Sequence, residues 1–205
     1  MKGIFPVILF VLSTLLVPAQ RFHGGIMAGG VLSQVQGESY GGFNKPGVYA
    51  GGFVNYDFGK IHTVQLEMDF IQKGSRDNNN PEDGPYPNYI LRVNYLEIPV
   101  LYQVHFFKRK FAFEIGPAFD VLLSSYQEYD GLESDFVPPC RSVTINGLAG
   151  VSYNIIPKLK VDFRFIMSIN SIRQPGDTND NYYKRFGTWG QFNDVLALTI
   201  WYTFK

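Results

Sequence analysis

The sequence has little of three features by which many protein classes are recognised. It contains one cysteine, Cys140, so an internal disulfide framework is excluded. Its 18 basic and 18 acidic residues cancel, so no strong positive field indicates nucleic acid as a partner. Beyond the N-terminal segment, no apolar run approaches the roughly 20 residues that a transmembrane helix needs. Because only helices and closed barrels satisfy their backbone in lipid, a membrane location would require a barrel.

The N-terminal segment has the features of an export signal. Lys2 precedes the apolar run Ile4–Val17, and the compact residues Val17-Pro18-Ala19 suit cleavage by a signal peptidase. We therefore predict a cleaved signal peptide over residues 1–19. The remainder, residues 20–205, is long enough for one domain with a sizeable core.

The stretch Asn94–Leu123 alternates with a period of two residues on both sides of the basic turn Phe107–Lys110. One set of alternate residues is free of charge and mostly apolar: Leu96, Ile98, Val100, Tyr102, Val104, Phe106, Phe113, Ile115, Pro117, Phe119, Val121 and Leu123. Since a strand directs alternate side chains to opposite faces, this predicts a β-hairpin whose arms could each cross a bilayer. Pro99 and Pro117 lie within its arms and predict a bulge or a local opening there.

The same alternation recurs along the chain and predicts eight strands. Outside the hairpin these are Gly24–Ser33, Gly47–Phe58, Ile61–Gln72, Ser142–Ile155, Leu159–Ser171 and Asn193–Phe204. Long polar loops alternate with tight turns, as in outer-membrane barrels with long external loops and short periplasmic turns. We predict an all-β, eight-stranded antiparallel up-and-down transmembrane β-barrel after the signal peptide, with both termini periplasmic.

The apolar faces of these strands carry no charged residue. The opposite faces carry a set that we predict to form a charge network inside the barrel: Glu67, Asp69, Glu97, Glu114, Asp120, Lys160, Asp162 and Arg164. A basic residue facing lipid at mid-bilayer would cost about 2–4 kcal/mol, which favours charges inside. Arg164 is the expected central counter-ion, with Glu97 or Glu114 as its partner. A soluble lipocalin-like barrel, with the apolar face inside around a ligand, is an alternative.

Candidate catalytic groups are sparse, and we expect no catalytic residue, cofactor or metal site. The histidines lie near one predicted end of the strands, whereas Ser124 and Ser168 lie toward the other. A Ser–His–carboxylate triad is therefore not expected. An outer-membrane lipid-modifying enzyme, which would need such a triad, is kept as a second alternative. The interior carboxylates could line a narrow channel, although eight-stranded barrels are usually filled by side chains.

Several motifs resemble the PorT-like outer-membrane β-barrel family of Bacteroidota. The most specific is Asn94-Tyr95-Leu96-Glu97-Ile98-Pro99, followed on the next strand by Glu114-Ile115-Gly116-Pro117. Gln65 to Ser75 is similar to the third strand of that family, and Gly25–Gly29 to its first. The resemblance implies an eight-stranded outer-membrane barrel, surrounded by lipid. Since one family member takes part in type IX secretion, it also implies an accessory or scaffold role, with secretion components as partners.

Overall fold

The described part of the chain is built from β-strands. The computed structural model describes residues 22–38, 40–77, 88–134, 139–173 and 183–204, so the predicted signal peptide lies outside it. The strands are β1 Phe22–Gln36, β2 Lys45–Phe58, β3 His62–Arg76, β4 Tyr89–Phe106, β5 Phe111–Tyr129, β6 Leu132–Glu133, β7 Val143–Ile156, β8 Leu159–Ser168, β9 Tyr183–Arg185, β10 Thr188–Gly190 and β11 Phe192–Thr203. Within these residues, no helix has the length and apolar character to span a membrane.

Eight long strands close into one antiparallel barrel. They follow the order β4-β3-β2-β1-β11-β8-β7-β5, and β4 pairs with β5 to complete the ring. Each long strand pairs with the next long strand in the chain, and the first, β1, also pairs with the last, β11. The topology is therefore an up-and-down meander. Short β6 extends the β5 edge, and β9 pairs with β10 in a separate hairpin. The predicted eight-stranded barrel is confirmed.

Apolar side chains cover the outside of this barrel. Those of Met68, Leu198 and Ile200 are among the most exposed, at 57–61 %. The alternate residues of the same strands are buried and include most of the charged groups. The soluble barrel alternative required the apolar face inside, so it is wrong: this surface suits lipid.

The strands extend further than their sequence pattern predicts. β3 continues to Arg76, although Lys73 onward reads as a polar loop, and β4 already begins at Tyr89. The two strands pair through Lys73 and Val93 up to Arg76 and Ile90. The prediction failed here because it took the polar composition of this segment as a sign of irregular structure.

Pro99 and Pro117 interrupt the hydrogen-bond ladder without shifting its register. β3 and β4 keep one register on both sides of Pro99 but do not pair at that residue, since a proline nitrogen carries no hydrogen. The β4–β5 ladder lapses in the same way opposite Pro117. The register shift of this hairpin lies instead between Asn94 and Tyr95, so of the two predicted outcomes, a bulge or a local opening, the prolines produce the local opening.

The two ends of the barrel differ. At one, called here the turn end, short connections join β2 to β3, β4 to β5 and β7 to β8. The opposite end is called the loop end. Pairs of rings surround the turn end, with centroids 4.9–5.8 Å apart: Phe22–Tyr56, His62–Tyr102 and Phe111–Tyr153. Such a belt is typical of the boundary between membrane and water.

The lipid-facing assignment predicts a large effect of charge at mid-barrel. We expect Met68→Arg to lower the free energy of unfolding in lipid vesicles by about 2–4 kcal/mol, because a cation would face hydrocarbon. Denaturant titration measures this loss. Leu132→Arg at the loop end is the matched control and should have little effect. Equal effects of the two substitutions would contradict the assignment.

Candidate functional site

Arg164 on β8 is the central cation of the barrel interior. Its Nη1 and Nη2 donate to the two oxygens of Glu67 on β3, at 2.7 and 2.9 Å. Its Nε lies 2.6 Å from Glu114 Oε1 and 2.7 Å from Asp162 Oδ1, as ion pairs. All four side chains are fully buried, and the guanidinium also lies 4.6 Å from the ring centroid of Trp201. Three carboxylates from three strands thus converge on one cation.

A second buried cation, Lys73 on β3, forms a parallel cluster. Its Nζ donates to Glu97 Oε2 on β4 at 2.6 Å and to Asp120 Oδ2 on β5 at 2.8 Å. Thr144 of β7 donates to the same Asp120 oxygen at 3.4 Å. Sequence reasoning missed Lys73 by assigning it to a loop. The alternation of β3 contains the signal, because Lys73 shares the parity of the interior carboxylate Glu67.

Tyr49 on β2 joins the two clusters. Its hydroxyl donates to Glu97 Oε1 at 2.8 Å and accepts from Arg164 Nη1 at 3.2 Å. Asp69 Oδ2 lies 3.4 Å from the same hydroxyl. One continuous polar network therefore runs through the middle of the barrel and links β2, β3, β4, β5, β7 and β8.

The predicted interior residues divide into two groups. Buried inside the barrel are Glu67, Asp69, Glu97, Glu114, Asp120, Asp162 and Arg164. Lys160 lies apart from them: it is half-buried near the turn end, with its ammonium 4.1 Å from the centroid of Trp201. Glu97, expected as a partner of Arg164, instead pairs with Lys73, and Glu114 lies beside Arg164.

The network leaves no room for additional side chains at mid-barrel. A Cβ on Gly51 would lie 2.0 Å from Asp69 Oδ1 and 2.4 Å from the backbone oxygen of Met68. A Cβ on Gly150 would lie 3.0 Å from both Arg164 Cγ and Glu114 Oε1. Small residues here allow the large polar groups to fill the lumen, as expected for an eight-stranded barrel.

The histidines occupy separate positions at the turn end. His105 Nε2 lies 2.9 Å from Thr63 Oγ1 and 3.1 Å from Arg109 Nη2, whereas His62 Nδ1 contacts the Tyr102 hydroxyl at 2.7 Å. Ser124, at the other end of the barrel, accepts a hydrogen bond from an asparagine. Among the described residues, no three His, Cys, Asp or Glu side chains are arranged to hold a metal ion.

A recess of about 200 Å³ opens at the turn end, lined by residues that include His105, Arg109 and Asp57. Arg109 Nη2 donates to Asp57 Oδ1 at 2.8 Å across its rim, and Lys160 lies in its wall.

Buried Cys140, the single cysteine, lies elsewhere, between β6 and β7. Burial raises the pKa of its thiol, an effect that Arg173 partly offsets, so the thiol is not activated as a nucleophile.

An antiparallel eight-stranded barrel with an apolar outside and a polar filled interior is an outer-membrane β-barrel. The chain belongs to the family described as outer membrane protein beta-barrel domain, whose model matches residues 19–174. This family and fold support a location in the outer membrane. No curated protein matches the sequence.

Two solved outer-membrane barrels share the fold. Neisserial surface protein A (NspA) superposes with a TM-score of 0.55 at 13 % identity, over 88 % of this chain and 97 % of that one. Ail, the attachment invasion locus protein of Yersinia pestis, gives a TM-score of 0.51 at 14 % identity, over 89 % and 98 % of the two chains. At such low identity the likeness concerns the fold alone.

The Arg164 cluster predicts a specific loss of stability. We expect Arg164→Met to lower the free energy of unfolding by about 3–5 kcal/mol, since three buried carboxylates would lose their shared cation. Denaturant titration followed by tryptophan fluorescence measures it. Lys160→Met is the control, because this half-buried lysine makes no ion pair among the described residues. If both variants lost the same stability, the central role of Arg164 would be refuted.

The bridging hydroxyl can be tested with a matched pair of tyrosines. Tyr49→Phe should cost about 1–3 kcal/mol of unfolding free energy, because Glu97 and Arg164 would each lose a buried hydrogen-bond partner. Tyr95→Phe removes a buried hydroxyl that has no hydrogen-bond partner in the described structure and should be close to neutral. A neutral Tyr49→Phe would show that the two clusters are independent.

Proposed function

We propose that this chain is a non-catalytic accessory or scaffold protein of the outer membrane, which acts through its ends rather than through its lumen. The observation that carries the proposal is the sealed interior. Arg164, Lys73 and their carboxylate partners are completely buried and cross the middle of the barrel. A solute path would require these pairs to separate, which leaves buried charges uncompensated. The described residues therefore offer no path through the lumen for the channel alternative.

The turn between β4 and β5 is the best candidate for a partner contact at the turn end. Phe107, Lys108 and Arg109 all have left-handed backbone conformations, with φ of 48°, 56° and 64°. Residues other than glycine adopt this conformation at a cost, so the surrounding structure must hold it. Arg109 supplies two restraints: its side chain pairs with Asp57, and its backbone oxygen accepts from Asn154 at 2.5 Å.

This restrained turn presents an apolar and basic surface. The Phe107 side chain is 78 % exposed, and Lys108 and Lys110 are exposed beside it. With both termini on the periplasmic side, as proposed, the surface faces the periplasm. An acidic and apolar segment of a periplasmic export component would complement it. The link to type IX export is part of the proposal, and the motif resemblance to the PorT-like family of Bacteroidota is its support.

The sealed lumen predicts electrical silence. In planar bilayers we expect the reconstituted wild-type barrel to give no stable single-channel steps, because its ion pairs block the path. Asp120→Asn, which alters the cluster without emptying the lumen, should remain silent as well. Stable steps in the wild type whose size changes with Asp120→Asn would instead establish a narrow channel and refute the sealed scaffold.

The partner surface can be tested in the native host. We expect the combined substitution of Phe107→Asp, Lys108→Glu and Lys110→Glu to abolish co-purification of periplasmic components and to reduce exported protein in the medium. Arg109 is kept so that the restraint on the turn survives. Leu132→Asp, at the loop end, is the control and should leave both readouts unchanged. Heat-shifted migration on unboiled gels verifies that each variant forms the barrel. Normal export by a folded turn variant would refute the role of this surface.

A further inference from the structure

A row of polar side chains marks the edge of the apolar band at the loop end. On the lipid-facing side, Gln72 Nε2 donates to Asn94 Oδ1 at 3.0 Å, and Asn94 Nδ2 donates to Ser124 Oγ at 2.8 Å. The row crosses β3, β4 and β5. His62, in the ring belt of the turn end, and Gln72 lie on the same strand, β3. For a strand tilted by roughly 40°, the distance between them along the membrane normal is about 25 Å. That is the height of a hydrocarbon layer, so the row lies at its boundary.

Two exposed arginines lie just beyond this row on the same wall. Arg92 of β4 stands in register with Gly74 of β3, and Arg76 of β3 stands in register with Ile90 of β4. The two arginines are therefore diagonal neighbours on paired strands, with backbones about 7–8 Å apart. Arg92 lies one alternation step beyond the polar row and Arg76 lies two steps beyond it, on the side where lipid headgroups begin.

The Arg92 guanidinium is held in place but keeps its hydrogen-bond donors free. Its carbon lies 5.9 Å from the ring centroid of Tyr126, and the Tyr126 hydroxyl donates to Glu128 Oε2 at 2.7 Å. This hydrogen bond restrains the ring that lies beneath the guanidinium. Within the described residues, the side chains of Arg92 and Arg76 form neither an ion pair nor a hydrogen bond.

Three carboxylates, those of Asp77, Glu128 and Asp130, line one recess with Arg76 and keep their own negative charge. Glu128 accepts from Tyr126, and Asp130 accepts from the backbone nitrogen of Asn88 at 2.8 Å. Asp77 lies with Arg76 in the wall of a recess above the strands. None of these carboxylates forms an ion pair with Arg76 or Arg92 in the described structure.

We infer that Arg92 and Arg76 together bind the phosphate of an anionic lipid headgroup in the leaflet at the loop end. A guanidinium presents a planar fork of N–H donors that matches phosphate oxygens bidentately. Stacking on Tyr126 orients this fork before the lipid arrives. The occupant is a membrane lipid rather than a soluble anion, because both arginines lie on the lipid-facing wall, just beyond the polar row that borders the apolar band. The inference rests on the membrane location and does not depend on the scaffold role.

Lipid retention in native mass spectrometry tests the inference. The full-length barrel is reconstituted in phosphatidylcholine with about 20 % phosphatidylglycerol and then released. Wild-type protein should retain phosphatidylglycerol in preference to phosphatidylcholine. Arg92→Gln and Arg76→Gln should each reduce that preference about fivefold, in line with the contribution of one basic residue at a charged membrane surface. Arg92→Lys should restore part of it, because charge remains but the fork is lost.

Lys184→Gln is the matched control. Lys184 also stacks on an aromatic ring at the loop end, 5.8 Å from the centroid of Trp189, but belongs to the β9–β10 hairpin away from β3 and β4. Its loss should leave the preference unchanged, and an equal reduction would overturn the site. Competition by millimolar inorganic phosphate would likewise overturn a lipid site in favour of a free-anion site. Tyr126→Leu keeps both charges and should weaken retention of phosphatidylglycerol, because the ring no longer orients Arg92. This variant also provides a test in case Arg92→Gln does not fold.

Discussion

The shared pairing of Arg164 with Glu67, Glu114 and Asp162 is the interaction on which the interior depends. A barrel in lipid gains little stability from an apolar interior, because its apolar side chains are already removed from water when they contact lipid on the outer surface. The interior can therefore be polar, provided that each buried charge finds a partner. One cation serves carboxylates from three strands here, so each strand is fixed relative to the others. The glycines around it, such as Gly150, provide the space that this arrangement requires.

The Lys73 cluster and the Tyr49 hydroxyl extend this constraint to the neighbouring strands β2, β3, β4 and β5. A slip of one residue in any of these strands would move its interior charges to the lipid face. The cost of charge in hydrocarbon makes such a slip unfavourable, so the network specifies register as well as sealing the lumen. This accounts for a ladder that keeps one register past Pro99, where the backbone hydrogen bonds are interrupted.

The sequence was sufficient to predict the strand number, the direction of each strand face and the buried positions of most charged residues. These follow from a two-residue period that lipid outside and polar contents inside impose on every strand. The pairing inside the barrel could not be predicted, because it depends on which side chains reach each other across the lumen. Lys73 was missed because its polar surroundings were given more weight than the two-residue period. Lys160 lies on the interior side, as its parity indicates, but parity alone does not show that it sits at the turn end away from the ion pairs.

Because the network fixes the middle of the barrel, the two proposed binding surfaces fall at its ends. At the turn end, the Arg109–Asp57 pair holds a backbone conformation that Phe107 and Lys108 would not adopt freely. At the loop end, the guanidinium carbon of Arg92 lies over the ring of Tyr126, 5.9 Å from its centroid. In both places a side chain that is not needed to close the barrel restrains an exposed cationic segment. Such restraint lowers the entropy lost on binding, which is a reason for a rigid barrel to carry it.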